Sequence, residues 1–169
     1  IIENVVKNSS VPVTVKIRLG WDHNHINFLE VISKLEEAGV DAIGIHARTT
    51  KELYTGLPHY DLLKDLRLKM KVPLIVSGNI FTLEDAIKAL EITKADAVMV
   101  ARGGVGNPFL ITQINHYFKN NEVLDNNNYL NQEEVTTKTD INDDTAPVTA
   151  ISQKLEELKY LLFKNKSYF

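Results

Sequence analysis

Four short stretches of this 169-residue chain set residues able to hold an anion at the end of a β-rich, apolar run. Lys16 interrupts "VPVTVKI", His46 closes "DAIGIHA", Ser77, Gly78 and Asn79 follow "VPLIV", and Ala101, Arg102 and Gly103 follow "ADAVMV". An ammonium between Val15 and Ile17 calls for an anionic or electron-rich partner, or for a stem that snorkels to solvent. An imidazole at His46 can donate to a carbonyl or an anionic ring nitrogen, or be satisfied by backbone in a core. Arg48 next to it offers a fork for phosphate or carboxylate. Gly78 lets backbone N–H groups approach a ligand, with Ser77 and Asn79 adding side-chain bonds, although a plain turn uses the same residues. The loop at Arg102 and Gly103 precedes a helical pattern opening near Asn107 and Pro108. Exposed N–H groups, a helix dipole and a guanidinium together suit a phosphate.

The elements that must position these groups repeat as β-run, loop, helical pattern. "VPVTVKI" (11–17) leads to a helix in which Phe28, Leu29, Ile32, Leu35 and Glu36 show helical spacing and Gly39 stands at the C-terminal cap. "DAIGIHA" (41–47) leads through Gly56 and Pro58 to a helical pattern in "YDLLKDLRLKM" (60–70). "VPLIVSGN" (72–79) leads to "TLEDAIKALEI", where Thr82 and Asp85 form an N-cap signature. "ADAVMVA" (95–101) leads to "NPFLITQINHYF". A short helix is expected over 1–8.

Val- and Ile-rich strands separated by helices imply an α/β fold with parallel pairing. A doubly wound sheet or part of a barrel would satisfy the pattern. The barrel is favoured because every unusual residue falls at the C-terminal end of its strand, where a (β/α) barrel builds its active site, and the loops after its last two strands often hold phosphate. Four units make the second half of a TIM (β/α)8 barrel over residues 1–118. The opening "IIENVVKNSSVPVTVKI" reads as the end of a helix feeding a strand, so an N-terminal portion is expected beyond it. Residues 119–149, rich in Asn, Asp and Thr, are expected to form a disordered linker. Ile151, Leu155, Leu158, Leu161 and Leu162 predict an amphipathic helix over 150–165.

A formal net charge of -3 carries no global basic signal, so any RNA contact must be local. The absence of cysteine excludes disulfides, thiolate-ligated zinc and a cysteine nucleophile within this chain. No apolar run reaches the roughly 20 residues that span a bilayer, and no signal peptide is recognisable, so the expected compartment is the cytoplasm. His23 and His25 in "WDHNH" are metal-compatible types, but no Cys or acidic cluster completes a site around them in the sequence. They read as a solvated loop, and no metal is expected.

"VTVKIRLGWD", "AGVDAIGIHARTTKELYTG", "VPLIVSGNIFTLEDA" and "ADAVMVARGGVGNPFL", in this order and spacing, resemble the tRNA-dihydrouridine synthases over residues 1 to about 118. The resemblance implies an FMN-dependent oxidoreductase that reduces uridine in tRNA to 5,6-dihydrouridine, with NADPH reducing the flavin. It implies that Lys16 and His46 touch the flavin ring, and that Ser77, Gly78, Asn79, Ala101, Arg102 and Gly103 hold the cofactor and its phosphate. Arg48 and Lys51 are expected to approach the RNA. The family's acid is a cysteine on a loop of the first half of the barrel, so no catalytic acid is expected in this chain, and the chain alone is expected to be inactive. Its partners would be tRNA and the missing N-terminal half, in cis or in trans. The family more often shows Asn-Gly-Asp at 77–79 and Gly-Arg at 101–102, and its C-terminal helical RNA-binding domain is not recognisable after residue 119. Two other readings stay open: another FMN barrel related to dihydroorotate dehydrogenase, and a degenerate half-barrel that binds a phosphate ligand or partner without catalysis.

Overall fold

The structure, a computed structural model, describes residues 1–124. Of the linker expected over 119–149, Lys119 and Asn120 instead close a helix, because the Phe109–Asn120 pattern runs on to a left-handed cap at Asn121; its remainder beyond residue 124 and the helix expected over 150–165 lie outside the described residues. The elements run α1 (Ile2–Asn8), β1 (Thr14–Arg18), α2 (Phe28–Glu37), β2 (Ala42–His46), β3 (Leu74–Ser77), α3 (Leu83–Thr93), β4 (Ala97–Met99) and α4 (Phe109–Asn120). The four strands pair in the order β1-β2-β3-β4, and every pairing is parallel. Sequential order without a reversal removes the doubly wound alternative, because that topology needs a switch point where the strand order turns back. What is built is a partial (β/α) barrel.

Strand alternation divides the sheet into two faces. Ile43, Ile45, Leu74 and Val76 share one face and are completely buried. They form a common core with Phe28, Ile32 and Leu35 of α2, Leu83, Ala86 and Ala89 of α3, and Leu110 and Ile114 of α4. Burying each large aliphatic side chain of this set contributes about 1.5–3 kcal/mol. The other face carries Lys16, Gly44, Ile75 and Ala97 in one register row and Arg18, His46, Ser77 and Met99 in the next. The polar groups noted in the sequence therefore share a face and lie at the C-terminal end of the sheet.

Local signals act as read. Thr82 Oγ1 accepts the Asp85 N–H at 3.2 Å, and Asp85 Oδ2 accepts the Thr82 N–H at 3.1 Å, closing a capping box on α3. Gly39 follows α2 with φ +82, a left-handed conformation that ends the helix.

Two elements differ from the sequence reading. The helix expected over 60–70 is a pair of 3-10 turns, Tyr60–Leu63 and Leu66–Lys69. Asp65 between them adopts φ +53 and donates its N–H to Ile92 O at 2.9 Å, a tertiary bond that interrupts helical propagation. β1 is not buried on both faces: Thr14 and Lys16 are exposed, because β1 has a single strand neighbour among the described residues. After β4 the chain runs, as expected, through a loop to a helix that opens beyond Asn107 and Pro108: Arg102–Gly104 form a 3-10 turn, and α4 begins at Phe109.

Candidate functional site

The register row at the strand ends is the floor of the site. Lys16 and Arg18 project from β1 on the same face as His46 of β2 and Ser77 of β3. Gly44 is the register partner of Lys16, and a Cβ there would touch Lys16 Cγ in ordinary van der Waals contact at 3.5 Å. The loops after β3 and β4 form the wall, and their contact depends on a glycine. A Cβ on Gly103 would stand 2.0 Å from Ile80 O, so only a bare Cα lets the two loops close on each other.

These elements enclose an open cleft of about 190 Å³. Lys16, His46, Ser77, Gly78, Asn79, Ala101, Arg102 and Gly103 all line it, and they come from all four strand ends. Arg18, Tyr54, Phe81 and Met99 line it too. No carboxylate does, so three cationic side chains face the cavity without local compensation inside it. An anion is the ligand such a field favours.

Asn79 organises the cations. It adopts φ +47, a conformation asparagine tolerates better than most residues. Its Oδ1 accepts from Arg48 Nη2 and from Arg102 Nη2, both at 3.1 Å. The Arg102 guanidinium also lies 4.9 Å from the Tyr54 ring centroid and 5.4 Å from that of Phe81, so two aromatic faces restrict it. The backbone N–H groups of Asn79, Arg102 and Gly103 make no hydrogen bond among the described residues. Donors of this kind can serve an anion.

His46 is buried and neutral at pH 7. Burial is the main cause, and Arg18, Lys16, Arg48 and Arg102 add to it, lowering its pKa to about 4. Arg48 can only donate, and its Nη1 stands 3.5 Å from His46 Nε2. That assigns the proton to Nδ1, which donates to Ser77 Oγ at 3.1 Å.

Arg48 is placed otherwise than expected. It is completely buried, with Nε donating to Thr55 O at 3.0 Å and Nη2 to Gly56 O at 2.6 Å as well as to Asn79. Its fork folds the loop after β2 and does not reach outward to RNA. Lys51 is exposed and pairs with Asp22 at 2.7 Å. Sequence reasoning missed Tyr54, Phe81 and Met99 as lining residues. A lone aromatic in a loop has no periodicity to betray its direction, whereas Met99 is legible as the alternation partner of Ala97.

The match to known proteins follows the same residues. The family model described as Dihydrouridine synthase (Dus) matches residues 1–169. This chain belongs to the dihydrouridine synthase family. It is 42% identical over 122 residues to "Probable tRNA-dihydrouridine synthase 1" of Synechocystis sp., covering 72% of this chain and 34% of that protein. It is 42% identical over 110 residues to "tRNA-dihydrouridine synthase B" of Pasteurella multocida, covering 65% of this chain and 33% of that one. The chain thus spans about a third of the length of the curated relatives it matches. Among solved structures, mandelate oxidase covers 61% of this chain and 42% of its own at TM-score 0.40 and 18% identity, too loose a likeness to inform the site. In this member of the family no helix among the described residues is long and apolar enough to cross a membrane.

Proposed function

We propose that this chain supplies the cofactor-holding wall of an enzyme that reduces uridine in tRNA to 5,6-dihydrouridine, with FMN as the resident cofactor and NADPH as reductant. The observation that carries the reading is the convergence of eight residues from four strand ends on one cleft lined by cations and by no carboxylate. Family membership supports the reaction class, and the donor set fits the cofactor's phosphate. Arg102, oriented by Asn79 and two aromatic rings, and the unpaired N–H groups of Asn79, Arg102 and Gly103 would hold that phosphate.

Lys16 and Arg18 would keep positive charge beside the ring. His46 would meet it as a neutral imidazole, its ring held by Ser77 and Arg48. FMN held by these residues would supply hydride-transfer chemistry toward the uracil ring. These cations favour an electron-rich ring, and the low His46 pKa spares the site a further positive charge that would oppose Arg48 and Arg102. The proton for C5 comes from a group outside these residues, which include no cysteine.

A chimera tests this: residues 1–118 replace the matching segment of the Synechocystis relative, and FMN content and dihydrouridine formation in tRNA are measured. Flavin retention and turnover are expected. A folded chimera that holds no FMN would remove the cofactor assignment.

A further inference from the structure

Two loops at the strand ends are stitched together beyond what the flavin reading uses. Thr50 N–H donates to Gly20 O and Lys51 N–H to Trp21 O, both at 2.9 Å. Trp21 N–H donates to His25 O at 3.1 Å, closing the 21–26 turn, and Asp22 takes Lys51 Nζ on one oxygen and the Asn24 N–H on the other. At this seam Glu52 Oε1 lies 2.6 Å from His59 Nε2 and 3.4 Å from His23 Nε2. The two imidazoles meet edge to face with centroids 5.3 Å apart. One ligand atom from each of the three residues falls within 4.8 Å of the others.

The geometry points to a divalent transition-metal site formed by His23, Glu52 and His59, with Zn2+ as the best-matched ion. Two imidazole nitrogens and one carboxylate oxygen are a recognised three-ligand zinc donor set that leaves a fourth position for water. Metal–ligand distances of about 2.0–2.2 Å hold tetrahedral donors about 3.3–3.6 Å apart. Glu52 Oε1 and His23 Nε2 already stand 3.4 Å apart, whereas the Glu52–His59 pair at 2.6 Å opens as the ion replaces the proton between them. His23, whose side chain is 63% exposed, has the freedom to adjust around the ion. The other two ligands are already held. Glu52 Oε2 accepts the Thr49 N–H at 2.6 Å, and the backbone N–H of His59 donates to the carbonyl of Ala47, just after β2, at 2.7 Å. Asp22 neutralises Lys51, leaving the Glu52 carboxylate as local negative charge.

In this assignment the ion acts as a cross-link between two loops. It joins the 21–26 turn to the 49–59 loop, which carries Tyr54 of the cleft and the Thr55 and Gly56 carbonyls that hold Arg48. The sequence expectation of no metal at "WDHNH" rested on the lack of a partner nearby in the chain. The fold brings two, 29 and 36 residues further on.

The test uses the full chain, stripped with a chelator and titrated with Zn2+ by calorimetry, then with Co2+ followed by its visible d–d absorption. One ion per chain and a raised thermal midpoint with Zn2+ are expected. His23→Gln and Glu52→Gln should each weaken Zn2+ binding at least tenfold, while His116→Gln, on α4 and outside this cluster, should leave it unchanged. The exposure of His23 makes its variant safe for folding, and circular dichroism of each metal-free variant checks the others. Absence of saturable binding below about 1 mM, or binding indifferent to both His23→Gln and Glu52→Gln, would overturn the site. FMN plays no part in this measurement, so its outcome is separable from that of the flavin reading.

Discussion

Asn79 gives the sharpest test of how the cleft is organised, because one acceptor atom serves two guanidiniums and the backbone there is left-handed. Asn79→Ala deletes both bonds and puts an alanine at φ +47. The Arg48 bond involves a fully buried cation, and losing a hydrogen bond to a charged group costs about 1.5–3 kcal/mol. The Arg102 bond is solvent-exposed and adds at most about 1 kcal/mol. The left-handed backbone adds about 1 kcal/mol for alanine and nothing for glycine. Asn79→Ala should therefore cost about 2.5–5 kcal/mol in urea unfolding of the chain, and Asn79→Gly about 1 kcal/mol less. Asn79→Asp isolates the acceptor role. A carboxylate keeps the acceptor and attracts both arginines, so folding stability should be held or raised. Aspartate is also the residue the family more often shows at this position, so FMN affinity of the chimera should be kept. If Asn79→Asp unfolds as readily as Asn79→Ala, the shared-acceptor reasoning fails.

Arg102→Ala in the chimera should weaken FMN binding by about 1–3 kcal/mol, the range for one charge-assisted bond; an unchanged dissociation constant by flavin fluorescence would remove Arg102 from the phosphate site. His46 predicts a pH dependence. Its folded pKa of about 4 lies below the ordinary value of 6.5, so between these limits the unfolded chain binds more protons. His46 should make the chain progressively less stable as pH falls from about 6.5 to about 4. The stability difference between wild type and His46→Asn, followed by urea midpoint, should change across that window and be flat above it. Gly103→Ala should cost about 1–3 kcal/mol, because a Cβ 2.0 Å from Ile80 O must push one loop off the other. Full stability of that variant would show that the two loops can part without loss.

Much of the fold was legible because periodicity and capping are local. Four β-runs, the Thr82–Asp85 box and Gly39 each act through neighbours within one turn, and the strand ends could be named before their order was known. Residues 60–70 misled for the opposite reason. Their spacing is helical, but Asp65 is held by Ile92, and a contact 27 positions away leaves no local trace. Arg48 likewise carries the composition of an RNA contact, and only the course of the 49–56 loop around it turns it into a buried fastening.

The sequence by itself determined which residues carry charge and that each stands at a strand's C-terminal end. Side-chain alternation then required Lys16 and Arg18, and separately Ala97 and Met99, to share a face. The tertiary structure decided that parallel in-register pairing lines Arg18, His46, Ser77 and Met99 across four strands, that Asn79 ties Arg48 to Arg102, and that His23 meets Glu52 and His59. Register is a relation between strands and loop closure a relation between distant segments, so both arise only when the buried faces of Ile43, Ile45, Leu74 and Val76 fix one sheet against its helices.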